Sequence, residues 1–285
     1  MVLAAACGLL LVPLDNQYRA LWYGEVTDAC HLPLFGLLTL FLAGYGWPQR
    51  QLAMVISAAA LACIAELAQP VMGRSASWRD LVYGLLGVGA AAVWLRTEWR
   101  WPLRLVVIAT LLAWPIWRTG PSLFDAFWAW KTFPVLAISG SPCEGRRWYL
   151  QDVQMDRIES GATRFYFPPN TTSGKSAILF PVIRDWTAYE TLEVSFEFEG
   201  EPLLFLISVR DGKKLPPELP RYDLWRRYSP GKHDVQIDLN ELAQGGNFPP
   251  IELHRVQSLH LVAFSDRPQS IIVRRIALTD RKEPP

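Results

Sequence analysis

The chain of 285 residues has only four cysteines, 19% charged residues, and no surplus of either sign, with 28 Lys and Arg against 27 Asp and Glu. Near-neutrality leaves no concentrated basic face, so a nucleic-acid partner is excluded as a class. Cys7, Cys30 and Cys63 fall in or beside apolar segments and only Cys143 lies in the polar half, which excludes a disulfide framework there. The apolar cysteines read as small packing residues, and no CxxC or Cys/His spacing suggests zinc. A hydrolase with His31 as base and Ser75 or Ser77 as nucleophile lacks a supporting nucleophile motif. No catalytic residue, cofactor or metal ion is assigned, and an enzyme is not expected.

What the chain has is a sharp division. To about Arg118 it is rich in Leu, Ala, Val and Trp; from about Ser141 it carries most of its Glu, Asp and Lys and alternates polar with apolar residues. Val2 to Leu14 is an apolar run shorter than the roughly 20 residues of a spanning helix, and with more apolar segments after it we read it as a first transmembrane helix. Asp15 to Asp28 is then a polar connection. His31 opens the next segment, to Tyr45, with Pro33 in the first turn where its missing N–H is tolerated. Further segments cover Leu52 to Ala65, Leu81 to Leu95 and Leu105 to Trp117. A Trp- and Arg-rich connection at Arg96 to Arg104 suits a membrane interface. The Trp-rich stretch from Phe124 to Phe133 reads as an amphipathic surface link or a packed linker.

The polar residues of this half are not scattered. If the segments alternate in direction, His31, Glu66, Gln69, Arg74 and Asp80 all come to one membrane face, where ionisable groups are costly and mark a buried pair or a site. Glu66 and Gln69, three apart, share a helical face. Gly84 and Gly87, beyond Asp80, allow a neighbouring helix to approach. Two readings stand for Glu66 and Arg74: an ion pair that fixes helix packing, or a pocket for a polar head group with Arg74 as the anion contact. With Glu66 the only carboxylate placed near His31 at membrane depth, a metal site lacks ligands.

Short-loop arginines divide almost evenly between the faces, Arg50, Arg96, Arg100 and Arg104 against Arg19, Arg74, Arg79 and Arg118. Setting aside the two beside Asp80, the first face is the cytoplasmic one. The polar cluster and the C-terminal half are then extracytoplasmic.

In that second half Leu192, Val194, Phe196 and Phe198 alternate with Glu193, Ser195, Glu197 and Glu199, the period of a strand with one face buried. Leu203 to Val209 reads as a strand buried on both sides, and further strands are expected at Val235 to Leu239, Leu259 to Phe264 and Ile271 to Leu278. The expectation is an all-β antiparallel sandwich or jelly roll. Tyr222, Trp225 and Tyr228, beside Arg226 and Arg227 in a loop-like stretch, are candidates to stack on sugar rings, though such residues also serve as packing. Asp211 reads as a turn brace or, alternatively, a calcium ligand. Asn170-Thr171-Thr172 matches a glycosylation sequon.

The polar pattern of the first half, Asp28 with His31, Glu66-Leu-Ala-Gln69, Gly73-Arg74-Ser75, and Asp80 followed by Gly84 and Gly87, resembles the VanZ-like membrane family over about residues 10 to 96. Phe35 stands where that family usually has Tyr, and Gly84 where it has Asn. The family is associated with low-level resistance to glycopeptide antibiotics such as teicoplanin. The resemblance therefore implies a protein of the cell envelope.

Trp186-Thr-Ala-Tyr189, Val209-Arg-Asp211-Gly212 and Pro230-Gly231-Lys-His ahead of Val235 to Leu239 resemble the galactose-binding-like sandwiches of carbohydrate-binding modules. The resulting expectation is a multi-domain chain. A transmembrane bundle of about five helices spans 1–120, a Trp-rich linker 121–140, and an extracytoplasmic β-sandwich 141–285. It sits in a bacterial inner or plasma membrane and binds an envelope lipid, glycolipid or glycopeptide-like ligand in an outer-face polar pocket. The site candidates are His31, Glu66, Gln69, Arg74 and Asp80, then Asp28, Tyr222, Trp225 and Tyr228. The alternatives are an enzyme or transporter of lipid-linked envelope precursors, or a sandwich that docks an unidentified protein.

Overall fold

The computed structural model describes residues 21–45, 50–72, 76–138, 143–158, 162–169, 175–211, 221–245 and 250–280. The expected helix at Val2 to Leu14, Arg74 and the sequon at Asn170 lie outside them. The chain divides into two compact units, Met1–Ser122 and Leu123–Pro285.

The first unit is helical. Its elements are α1 (Leu21–Tyr45), α2 (Gln51–Ala68), extended by a 3-10 turn at Gln69–Met72, α3 (Trp78–Trp94), and α4 (Trp101–Thr132), whose last turns belong to the second unit. Two of these helical stretches, Gln51–Val71 and Trp101–Thr132, are long and apolar enough to cross a membrane by length and composition.

Two expected boundaries are corrected. α1 starts well before His31, so Asp28 is helical and Pro33 lies inside the helix rather than in its first turn. The polar residues ahead of His31 look like a connection, but Glu25 accepts a hydrogen bond from the Ser122 hydroxyl of α4, so that turn of helix is held by a partner. The break expected after Trp117 is also absent, because α4 runs through Pro115 and Pro121. A proline removes one N–H, and neighbouring groups in an apolar helix re-satisfy the freed carbonyl.

α1 and α3 approach through glycine. A Cβ on Gly87 would lie 2.1 Å from the Leu32 carbonyl oxygen and 3.0 Å from the Gly36 nitrogen, and one on Gly84 would lie 3.0 Å from the Phe35 ring. His31 stands beside Asp80 at one end of this contact and Gly36 beside Gly87 further along, so the two helices run in the same direction. Phe35, Leu38, Ala58, Ala62 and Val88 pack between α1, α2 and α3. α4 joins α3 by the Tyr83 and Trp114 rings, whose centroids are 5.2 Å apart. Arg104 caps the turn between them by donating to the Trp94 carbonyl at 3.2 Å, with its guanidinium over the Trp94 ring.

The second unit is an antiparallel β-sandwich. A six-stranded sheet is ordered β3-β4-β11-β6-β9, with β1 also on β11, and a five-stranded sheet is ordered β2-β5-β10-β7-β8. In chain order the strands are β1 (Val135–Ile138), β2 (Trp148–Gln151), β3 (Gln154–Arg157), β4 (Thr163–Phe167), β5 (Ser176–Leu179), β6 (Thr191–Phe198), β7 (Leu203–Arg210), β8 (Arg221–Tyr228), β9 (Gly231–Asp238), β10 (Ser258–Phe264) and β11 (Gln269–Thr279).

The alternation read from Leu192 to Phe198 buries every second residue of β6, and β7 is buried along most of both faces. Trp186, Phe165, Phe196, Phe205, Leu192 and Ile207 are among the side chains that fill the space between the sheets. An enclosed ion pair ties the last turns of α4 to this unit. Arg147 Nε donates to Asp125 Oδ2 at 2.9 Å, and its Nη1 donates to the Leu136 carbonyl.

Substituting Gly87→Ala is predicted to force α1 from α3 and destabilise the helical unit by about 1–3 kcal/mol or more, the range for overpacking. Gly120→Ala, where nothing lies within 4 Å of the added Cβ, is predicted to be neutral or to stabilise by up to about 1 kcal/mol through helix propensity. Thermal unfolding of the two purified variants followed by helical circular dichroism checks both.

Candidate functional site: a buried histidine-carboxylate cluster

Three helices bring four of the five leading candidates together. His31, Glu66, Gln69 and Asp80 are all at most 6% exposed. His31 Nε2 lies 3.7 Å from Glu66 Oε1, and His31 Nδ1 lies 4.0 Å from Asp80 Oδ1. Gln69 Nε2 donates to Glu66 Oε1 at 2.8 Å, which realises the three-residue spacing seen in the sequence. The backbone N–H of Ser77 donates to Glu66 Oε2 at 3.2 Å. Ser77 is also the N-cap of α3, its hydroxyl accepting from the Arg79 N–H. Glu66 thus holds the start of the helix that carries Asp80.

The geometry fixes the histidine. Its Nδ1 is 3.2 Å from the Asp28 backbone carbonyl, an acceptor only, so Nδ1 carries the proton in that bond and Nε2 is the atom turned toward Glu66. Nε2 makes no hydrogen bond. His31 also stacks on Phe35, one turn along α1, with ring centroids 6.3 Å apart. Asp28 contributes through its main chain here, and its side chain is half-buried.

Two readings stand from the sequence, a pair that fixes helix packing and a pocket for a head group; the four side chains as described are enclosed. One expectation changes. Glu66 is not the only carboxylate near His31: one ligand atom each from His31, Glu66 and Asp80 lies within 4.8 Å of the others. The reason is the glycine contact, which lets α3 slide in beside α1 until the first turn of α3 meets His31. Spacing along the chain does not report that distance.

In the sandwich the three aromatic candidates do not form one platform. They lie on β8, an edge strand rather than a loop, and strand alternation sends Tyr222 and Tyr228 inward and Trp225 outward. Tyr228 packs edge-on to Phe196 at 5.1 Å inside the core. Trp225 is 47% exposed and its ring lies 5.0 Å from Phe264. Register places Trp225 beside Leu206, and Ser208, His260, Ile178 and Tyr149 follow across the same outer face of the five-stranded sheet. Sequence reasoning missed Tyr149, Phe264 and His260 there; the alternation of β10 held the signal, but pairing decides which strands stand side by side. Asp211, read as a turn brace, accepts the Glu252 N–H at 2.9 Å.

Burial, with the nearby positive charge of Arg210 adding to it, pushes the His260 imidazole down from its ordinary 6.5 to about 3. The folded state therefore binds the proton more weakly than the unfolded one. Its contribution to stability is whole above pH 6.5 and is lost as pH falls toward about 3. Through that window the slope is up to about 1.4 kcal/mol per pH unit. Melting the full chain from pH 7 to pH 4 is predicted to show this acid loss, and His260→Gln is predicted to flatten it.

No family profile matches the chain, and no curated protein does. Several solved structures are similar to part of it. A family 11 carbohydrate-binding module from Clostridium thermocellum, solved with a mixed-linked tetrasaccharide, is 12% identical with a TM-score of 0.36, covering 48% of this chain and 91% of the module. A variant of a family 29 carbohydrate-binding module is 12% identical with a TM-score of 0.36, over 51% of this chain and 90% of the module. An agarase is 11% identical with a TM-score of 0.42, over 52% of this chain and 26% of the enzyme.

Proposed function

We propose that this chain is an integral membrane protein of the bacterial cell envelope, of the VanZ-like kind. In this reading its helical unit binds the polar head of an envelope lipid, glycolipid or glycopeptide-like ligand, and its sandwich is extracytoplasmic and takes a glycan. One observation carries the reading: the helical unit encloses a polar cluster and turns large apolar side chains outward. Leu52, Ile56, Ile64 and Leu67 of α2, and Val106, Ile116 and Trp117 of α4, are each more than half exposed while His31, Glu66, Gln69 and Asp80 are enclosed. In water such a surface is a liability, and in a bilayer it is the expected one.

The ligand's entry point in this reading is the rim of the cluster, where Asp28 and Ser77 are half-buried; Arg74, three residues before Ser77 in the chain, has by its chemistry the planar donor fork that suits an anionic head group. On the sandwich, Trp225 offers the exposed aromatic face that stacks on a sugar ring. An enzyme or transporter of lipid-linked material would use His31, Glu66, Arg74 and Asp80 as its working groups. Docking of a protein partner by the sandwich has no separate observation in its favour.

The full chain is expected to stay in the membrane fraction through alkaline carbonate extraction. In lipid nanodiscs it is expected to gain stability from a polyprenyl-phosphate-linked glycan, by about 2.7 kcal/mol at a hundredfold excess over Kd. Trp225→Ala is expected to abolish retardation in a glycan affinity gel without changing the melting temperature. Release by carbonate, or no thermal response to any amphipathic glycan in a broad panel, would sink the proposal.

A further inference from the structure

We infer that His31, Glu66 and Asp80 form a binding site for a transition-metal dication of the zinc class. The inference uses the cluster described above but does not rest on the lipid reading, and the two fail separately, since metal uptake is measured without any lipid ligand.

The argument begins at the imidazole. A histidine whose Nδ1–H is spent on a backbone carbonyl has its ring fixed with Nε2 turned away from that bond, and this is the arrangement that orients metal-bound histidines. That Nε2 is buried, makes no hydrogen bond, and faces Glu66 Oε1 at 3.7 Å. The separation is too long for a direct hydrogen bond, yet it is close to the ~3.4 Å between neighbouring ligands around a tetrahedral ion with bonds of about 2.1 Å.

Asp80 is the third donor, one ligand atom each of His31, Glu66 and Asp80 lying within 4.8 Å of the others. Gln69 stands beside the carboxylate of Glu66. It spends its amide N–H on Glu66, and its carbonyl oxygen is buried without a hydrogen-bond partner. Glu66 is itself oriented by the Ser77 N–H through Oε2 and by Gln69 through Oε1, the oxygen that lies 3.7 Å from the histidine. One imidazole with carboxylate and amide oxygens suits zinc, cobalt or manganese, and the nitrogen donor disfavours magnesium and calcium.

Cobalt is the probe, because its visible absorption reports ligand number. The full chain, purified in detergent without a polyhistidine tag and stripped with EDTA, is titrated with Co2+ and then with Zn2+. We expect one equivalent of Co2+ per chain, a visible band of low-coordinate cobalt, and its displacement by Zn2+. His31→Ala and Glu66→Gln should each weaken binding by more than about tenfold. His254→Ala, at an exposed histidine of the sandwich, should leave it unchanged.

Should His31→Ala lose its helical signal, His31→Asn, which retains an amide donor toward the Asp28 carbonyl, takes its place. A folded wild-type chain that takes up no Co2+ or Zn2+ overturns the inference without any variant. Unaltered binding in both cluster variants, or binding lost with His254→Ala, overturns it equally.

Discussion

The helical unit depends on one close approach, that of the Leu32 carbonyl to the Cα of Gly87. A backbone oxygen occupies the space a side chain would need, so α1 and α3 meet at a distance only glycine permits. Small residues at such a contact let the two backbones approach closely enough for tight van der Waals packing. The residue next to Leu32 is His31, and Asp80 lies two turns before Gly87, so the same contact sets how near the imidazole stands to the carboxylate.

The cluster is the costly part of this arrangement. Ionisable groups enclosed among apolar helices need partners for each polar atom, and several of those partners stand among the described residues. Gln69 and the Ser77 N–H serve Glu66, and the Asp28 carbonyl serves His31. These bonds lock the loop end of α2 to the start of α3. The sandwich follows a different logic. Its two sheets bury a continuous apolar layer with aromatic pairs such as Phe196 and Phe205 at 4.8 Å, and its enclosed charges are confined to particular ties such as Arg147 with Asp125.

Some elements were legible because their periodicity is strong. β6 alternates without interruption, and α2 and α3 are apolar runs bounded by a capping serine or a proline. The four- and five-residue strands β1 to β5 were not, since a strand that short holds too few alternations to stand out from a loop. β8 was misread for another reason. As an edge strand it faces water on one side, and Arg-Tyr-Asp-Leu-Trp-Arg-Arg-Tyr carries charges at positions that a central strand would make apolar. The fifth apolar segment reads only to Trp117, yet the helix continues through Pro121 to Thr132.

From the sequence alone came the division into an apolar helical part and a polar strand-forming part, and the gathering of His31, Glu66, Gln69 and Asp80 at one end of alternating helices. These follow from local rules, residue spacing along a helix and hydrophobic period, which need no knowledge of distant neighbours. The tertiary structure decided that the cluster is enclosed rather than open, that Asp80 joins Glu66 around a single imidazole, and that Trp225 is parted from Tyr222 and Tyr228. Each of those depends on distances between elements far apart in the chain, set by glycine contacts and strand register, which composition and spacing do not encode.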